Sequence, residues 1–163
     1  MVNLFLSNME KVNGVLLSVE YKDLILLKKK PTEFWKDVTS IGRDAFAVSV
    51  TLRNIKIPDG VTSIGRSAFQ ECMELTNVKI PDSVTSIGEF AFSDSTSLTA
   101  TILGTDVTVG WYAFGNVPIV YYAGYKEGED YSSWFYTWGE TVRSSSTNPI
   151  NTKNLNKNKE VIY

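Results

Sequence analysis

The sequence predicts a short solenoid, a fold in which copies of one unit stack along an axis. Three observations favour it. Units open with VTSIGRDAF, VTSIGRSAF and VTSIGEFAF at Val38, Val61 and Val84, so the period is 23 residues. A fourth unit, one residue shorter, begins at Val107 with VTVGWYAF. The same apolar positions recur in each unit, and a period within about 20 to 50 residues is typical of stacked coils.

The N-terminal segment, residues 1–37, is predicted to contain a β-hairpin over about residues 15–27. Its apolar stretches, 15–19 and 24–27, flank a polar four-residue link, which is typical of two strands joined by a longer loop. Residues 28–31 read KKKP and are predicted to end the hairpin as a solvated turn, because three like charges and a proline do not continue a buried strand.

The repeated positions within the coils predict a core of ladders. Neighbouring coils must cover one another, since one coil alone cannot bury its apolar face. The predicted ladders include a Phe spine at Phe46, Phe69 and Phe92. A glycine follows the Ile ladder in each coil and is expected at a tight bend with positive φ; the four are Gly42, Gly65, Gly88 and Gly110.

A second pattern lies in the other half of each coil. Residues 75–80 read LTNVKI and residues 52–57 read LRNIKI, the LxxLxL strand unit of a leucine-rich repeat. Stacked strands of this kind form a parallel sheet on the concave side of the solenoid. The residues that flank the central apolar position are expected to face outward. They are Asn54, Lys56, Asn77, Lys79, Ala100 and Ile102.

The register of this sheet predicts that Lys56 lies beside Lys79. Like charges on adjacent strands are destabilising, so the pair suits a solvated face or a face that meets an anionic partner. The first alternative requires no ligand, and the second makes the outward residues a binding site.

The wording IPDxVTSIGxxAFxxCxxL resembles the BspA-like, or Treponema-type, leucine-rich repeat of microbial surface proteins, over residues 38 to about 114. The N-terminal NGVLLSVEYKDLILLKKKP is similar to a hairpin insertion of that family, and residues 118–124 (PIVYYAG) are similar to its closing strand. The sequence departs from the pattern in three places: cysteine occurs in the second coil only, Gly104 replaces the usual proline, and the fourth coil is short. The resemblance implies an α/β-type leucine-rich repeat over residues 38–124, and a place outside the cell or on its surface.

The composition changes after residue 124. Residues 125–142 are rich in aromatic side chains and are predicted to cap the solenoid, whereas residues 143–163 are polar and are predicted to be a disordered tail. Exposed aromatic rings would alternatively suit sugar rings or a protein contact. The candidates for that second interpretation are Trp111, Tyr112, Trp134 and Trp138.

Little in the sequence points to catalysis. There is no histidine, the commonest general base and metal ligand, so Cys72 has no partner to activate it and is expected to be a buried structural thiol. The acids Glu127, Glu129 and Asp130 lack calcium-loop spacing and are expected to be solvated. We therefore predict no enzyme, metal or cofactor.

Charge and hydropathy limit the partners. The formal net charge of −2 does not suggest nucleic acid, and no apolar run is long enough to enter a membrane. The first residues do not resemble a signal peptide.

The predicted function is a monomeric, non-enzymatic protein–protein interaction module. The family resemblance implies adhesion or recognition of host or cell-surface proteins, which we place on the concave sheet. Two alternatives stay open: a structural spacer in a larger surface protein, and glycan binding by the aromatic region.

Overall fold

The computed structural model describes residues 11–19, 27–135, 141–144 and 146. It confirms a leucine-rich-repeat solenoid, in which each coil contributes one strand to each of two sheets. Both sheets are parallel throughout, except for one antiparallel hairpin at the N-terminus.

The first sheet has six short strands in the order β1-β2-β3-β5-β7-β9. Each repeat strand pairs with its equivalent in the next coil, and the side chains of Ser40 and Ser63 meet across the sheet at 2.7 Å between their Oγ atoms. The strands are β1 Lys11–Val12, β2 Val15–Leu16, β3 Ser40–Ile41, β5 Ser63–Ile64, β7 Ser86–Ile87 and β9 Thr108–Val109.

The second sheet has five strands in the order β11-β10-β8-β6-β4. It contains the LxxLxL segments and corresponds to the sheet that the sequence places on the concave side. Its strands are β4 Asn54–Lys56, β6 Asn77–Ile80, β8 Thr99–Ile102, β10 Ile119–Tyr122 and β11 Thr141–Ser144.

Strand β11 differs from the sequence prediction of a disordered tail from residue 143. It pairs in parallel with β10, and Val142 packs against the core. The inward side chain of Val142 gives the strand one apolar contact with the core, which favours continuation of the sheet there. The remainder of the predicted tail, residues 147–163, lies outside the described residues, as does residue 145.

The segments that link the first sheet to the second are turns rather than helices. Residues 43–48, 66–71, 89–94 and 111–116, which we call the turn ladder, are turns throughout. Backbone N–H groups of one coil donate to carbonyls of the next: Asp44 to Arg66 at 3.0 Å and Phe46 to Ala68 at 2.7 Å. The helix of an α/β-type repeat is therefore replaced, in all four coils, by turns whose hydrogen bonds join neighbouring coils.

The core is built around the predicted Phe spine. The rings of Phe46, Phe69, Phe92 and Phe114 are stacked, with centroids 4.7, 5.0 and 5.4 Å apart and ring planes within 9° of parallel. Phe34 continues the spine at the N-terminal end, since its centroid lies 6.1 Å from that of Phe46. The spine therefore runs through every coil.

Two short helices lie outside the repeats. Helix α1, Pro31–Phe34, follows a helical turn at residues 27–29, and a 3-10 helix spans Ser132–Trp134. Each contributes buried aromatic side chains at one end of the solenoid. These side chains cover core residues of the terminal coil that would otherwise be exposed.

The N-terminal hairpin lies earlier in the chain than predicted. Its strands are β1 and β2, and its turn is Asn13-Gly14, where both residues have positive φ (50° and 79°). Asn-Gly favours a two-residue turn of this handedness, which explains why a hairpin turn forms at this pair. Leu27, predicted at the end of a strand, is helical, and residues 20–26 lie outside the described residues.

The repeated glycines serve a different purpose from the one predicted. Gly42, Gly65, Gly88 and Gly110 do not have positive φ. A Cβ atom on Gly65 would lie 2.7 Å from the carbonyl carbon of Gly42, in the preceding coil. Glycine is needed there because two backbones approach closely.

The turn ladder holds the β-branched residue Val48 in an unfavourable backbone conformation. Val48 has φ +58°, a conformation that costs a β-branched residue about 1–2 kcal/mol, and its side chain is 58% exposed. Asp94 and Asn116 occupy the equivalent position in later coils with φ of 62° and 60°.

We expect Val48→Asn to raise the free energy of unfolding by about 1 kcal/mol, since asparagine tolerates this backbone. Urea denaturation followed by circular dichroism measures the change. Val50→Asn is the control, because Val50 is also exposed but lacks positive φ. An equal gain in both variants would refute the strain at Val48.

Candidate interaction surface

The outer side of the five-stranded sheet forms one continuous surface, which we call the sheet face. Alternation along each strand places every second side chain on it, and parallel pairing aligns these side chains into rows. Lys56 pairs with Lys79, as predicted, and Asn54 pairs with Asn77. The described side chains of the sheet face are Asn54, Lys56, Asn77, Lys79, Thr99, Thr101, Ile119, Tyr121 and Arg143.

The third coil corrects the sequence prediction. Ala100 and Ile102 are fully buried, and they pair with the core residues Val78 and Ile80. Thr99 and Thr101 occupy the positions opposite Asn77 and Lys79 instead, although Thr101 is itself only 4% exposed.

The reason is a one-residue shift in where the strand begins. Asn77 and Thr99 are 22 residues apart, whereas the coils repeat every 23, and a shift of one residue exchanges the two faces of a strand. The period-two pattern in TATI could have revealed the shift, since Ala100 and Ile102 are its apolar members.

The sheet face is cationic. Lys56, Lys79 and Arg143 lie in one row across the strands, together with Thr101 and Tyr121. No acidic residue occupies any of the nine described positions. The surface therefore carries positive charge in a protein whose formal net charge is −2.

Tyr121 and Arg143 were not predicted as members of this surface. Tyr121 is only 5% exposed, yet it lies outside the core cluster and is flanked in register by Thr101 and Arg143. Alternation in IVYY, with Val120 and Tyr122 in the core, was the available signal.

The aromatic C-terminal region is mainly a cap. Trp134 is buried, and its ring centroid lies 6.0 Å from that of Phe114, so it extends the Phe spine. Tyr131 packs on Trp134 at 5.0 Å and on Tyr122 at 6.2 Å. These contacts confirm an aromatic cluster at this end of the solenoid.

Two of the other candidates for an aromatic binding platform, Trp111 and Tyr112, are neighbours. Trp111 is 67% exposed, and its centroid lies 6.3 Å from that of the half-buried Tyr112. Trp138 lies outside the described residues. Of the four candidates, the structure therefore brings two together at the surface.

Cys72 is a buried hydrogen-bond donor in the core. Its Sγ lies 3.2 Å from the carbonyl oxygen of Phe46, and in the next coil the Ser95 Oγ donates to the carbonyl of Phe69 at 2.9 Å. Burial raises the pKa of the Cys72 thiol to about 11. The geometry is that of a structural thiol, because a nucleophile requires an accessible thiolate.

The raised pKa of Cys72 predicts a stability that depends on pH. The folded state holds the thiol neutral, while the unfolded state releases its proton near the ordinary value of 9.0. The resulting stabilisation is complete below pH 9 and is lost as pH rises toward 11, by about 2–3 kcal/mol at most.

We expect the free energy of unfolding to fall more steeply over this interval in the parent than in Cys72→Ser. Urea denaturation at closely spaced pH values compares the two. Titratable groups that both proteins share contribute equally to the two curves of unfolding free energy against pH, so they cancel in the difference between the curves. Parallel curves would therefore disprove the role of the thiol.

The acids of the 127–130 loop have a local role. Asp130 accepts a hydrogen bond from the backbone N–H of Ser132 at 2.8 Å, which lowers the pKa of its carboxyl, and Glu129 pairs with Lys126. In the described part of the chain, His, Cys, Asp and Glu side chains form no group of three or more that could hold a metal ion. Likewise, no helix in the ranges described has the length and apolarity to cross a membrane.

Comparison with known protein families gives a match over more than half of the chain. A family model described as the BspA type leucine rich repeat region matches residues 28–130, in six copies. Searches of curated proteins and of solved structures found no significant match.

Proposed function

The chain belongs to the BspA-type leucine-rich repeat family, and from that premise we propose that it is a recognition module that binds a protein on a cell surface or outside the cell through its sheet face. Repeat regions of this family are generally non-enzymatic, typically surface-associated, and serve in protein interaction or as structural repeats. We additionally assign the binding to the sheet face and propose that the contact surface of the partner is acidic.

The observation that carries the proposal is the cationic row of the sheet face. Adjacent strands lie about 4.8 Å apart, so Lys56 and Lys79 are close neighbours on a rigid sheet, whereas Arg143 lies three strands beyond Lys79. Lys56 and Lys79 repel one another, and this costs stability unless solvent or a partner screens the charges. A partner with a matching row of carboxylates would complement these charges.

Two further properties suit protein recognition. Arg143 is exposed at one end of the cationic row, and Tyr121, which is only 5% exposed, lies beside it in register. Tyrosine and arginine are enriched in the energetic centres of protein interfaces. The lysine end of the row would then orient an acidic partner, and Arg143 would add a cationic contact at the other end.

The test is a binding screen of the full chain against extracellular-matrix proteins at two salt concentrations. The variant is Lys56→Glu/Lys79→Glu. The matched control is Arg43→Glu/Lys126→Glu, which changes the net charge equally at exposed residues away from the sheet face. We expect salt-sensitive binding that the first double variant weakens at least about tenfold and the control leaves within about twofold.

Two outcomes would contradict the proposal. Equal loss in both double variants would assign the binding to overall charge. Absence of binding by a folded sample would favour the alternative of a structural spacer.

A second candidate function, glycan binding, is favoured by one observation. Trp111 is exposed beside Tyr112, and exposed aromatic rings pack on the apolar faces of sugars. In a glycan panel, a saccharide that binds there should protect Trp111 from acrylamide quenching. Unchanged quenching at saturating saccharide would reject this site.

A further inference from the structure

The N-terminal end of the solenoid carries lysine side chains around helix α1. A helical turn precedes α1, and Leu27 in that turn is buried against the core, which leaves the residues that follow it facing solvent. Lys28, Lys29 and Lys30 are all exposed, and Lys36 is exposed just beyond α1. We call these four lysines the lysine cluster.

A fifth lysine is held against the same helix. The ammonium group of Lys11 donates hydrogen bonds to the carbonyl oxygens of Phe34 and Lys36, at 2.5 and 3.1 Å. Burial lowers the pKa of Lys11 most, while the charge of Asp37 opposes this shift and the charge of Lys36 adds to it. The like charges of Lys11 and Lys36 therefore lie close enough to influence one another.

Few acids offset these charges. Residues 11–19 and 27–37 contain five lysines but only two acids, Glu33 and Asp37. Glu33 pairs with Lys30 at 3.2 Å, so the charge of that lysine is already partly compensated. The described part of the N-terminal end is thus cationic, although the whole protein has a formal net charge of −2.

The opposite end of the solenoid has the reverse charge. The loop before the 3-10 helix carries Glu127, Glu129 and Asp130 against the single cation Lys126, and all four side chains are exposed. A polyanion is repelled by this loop and attracted by the lysine cluster. The distribution of charge along the solenoid therefore directs an anionic ligand to the N-terminal end.

The lysine cluster suits a charged polymer better than a single small anion. Consecutive residues of a helical turn point about 100° apart, so Lys28 and Lys29 do not converge on one point. Lysine ends in a hydrated point charge on a flexible stem, and it lacks the rigid fork with which arginine selects the shape of one group. Dispersed, flexible cations match a chain that carries anionic groups at intervals.

We propose that the lysine cluster binds a sulfated polysaccharide, whose sulfate groups keep their negative charge at neutral pH. The choice of a polysaccharide among polyanions rests on the location outside the cell or on its surface that is proposed above. The site itself is distinct from the sheet face and from Trp111. Each contact between an ammonium and a sulfate group releases counterions, so the affinity falls as the salt concentration rises.

The probe is a fluorescein-labelled heparin oligosaccharide, and its binding to the full chain is followed by fluorescence anisotropy at several salt concentrations. The logarithm of the affinity is expected to fall linearly with the logarithm of the salt concentration, with a slope of about −2 to −3 for three or four ammonium contacts. Three comparison ligands identify the class of polyanion: desulfated heparin, a DNA duplex, and vesicles that contain phosphatidylserine. All three are expected to bind at least about tenfold more weakly than heparin.

Two protein variants isolate the site. Lys28→Glu/Lys29→Glu reverses two exposed charges of the lysine cluster and is expected to weaken heparin binding at least about tenfold and to make the salt slope shallower by at least about 1. The matched control is Arg43→Glu/Lys126→Glu, which changes the net charge equally and is expected to leave heparin affinity within about twofold. Circular dichroism checks that both variants are folded.

Other outcomes overturn the proposal. Equal loss in the two variants would assign heparin binding to overall charge, and equal affinity for desulfated heparin would exclude recognition of sulfate. If the DNA duplex or the vesicles bind as tightly as heparin, the assignment to a polysaccharide is wrong. No binding of heparin by the folded chain at low salt and millimolar concentration would remove the site altogether.

Discussion

Replacing Gly88 with alanine is expected to destabilise the protein by about 3 kcal/mol or more, at the upper end for overpacked sites. A Cβ atom at this position would lie 2.5 Å from the backbone nitrogen of Arg66 and 2.7 Å from the carbonyl carbon of Gly65. Both are main-chain atoms of the preceding coil, so no side-chain rotation relieves the overlap. Separating the coils would stretch the hydrogen bond from Gly88 N–H to the carbonyl of Ile64, now 2.8 Å long.

The control is Gly60→Ala. The nearest atom to a Cβ there is the carbonyl oxygen of Val38 at 3.9 Å, and φ is not positive, so the change is expected to stay within about 0.5 kcal/mol. Urea denaturation followed by circular dichroism gives both values. If the two variants prove equally stable, the coils can separate locally at no cost and the close approach is not a constraint.

Replacing Phe69 with alanine is expected to cost about 3–5 kcal/mol, the range for a buried Phe→Ala substitution. Phe69 is fully buried and stacks on both Phe46 and Phe92, at 4.7 and 5.0 Å. Its loss leaves a cavity between two rings that the hydrogen-bonded coils hold in place, and the cost of a cavity rises when its walls cannot collapse.

Two companions make this measurement specific. Phe69→Leu is expected to recover roughly half of the loss, because it restores volume without the stacked ring. Met73→Ala, in the same coil but half-exposed, is expected to cost less than about 1 kcal/mol. A Phe69→Ala loss no larger than that of Met73→Ala would mean that the spine contributes little to stability.

The sequence predicted the features that depend on repetition. The 23-residue period placed Lys56 beside Lys79 and Phe46 beneath Phe69, because coils of equal length stack in constant register. Cys72 was expected to be a buried structural thiol because the chain has no histidine to activate it, and the residue is fully buried.

Features that depend on local departures from the repeat were not predictable in this way. Ala100 faces inward because its strand begins one residue earlier than the 23-residue period predicts. The coils were aligned by that period, which does not reveal a shift of one residue within a coil. Turns were also misjudged: Asn13-Gly14 forms the hairpin turn, and Gly65 meets a neighbouring backbone rather than adopting positive φ. These outcomes depend on contacts between coils, which the period alone does not specify.

The 23-residue register that joins residues 61–83 to the preceding coil makes the length of this molecule adjustable in whole units. Each strand of residues 61–83 pairs with the same strand of its neighbours, so a duplicated copy of this segment would find matching hydrogen-bond partners on both sides. Neither end would need redesign, because helix α1 covers the first coil and Trp134 covers the last coil. Each added unit would extend the sheet face by one asparagine and one lysine, so that the reach and charge of the surface would grow in equal steps.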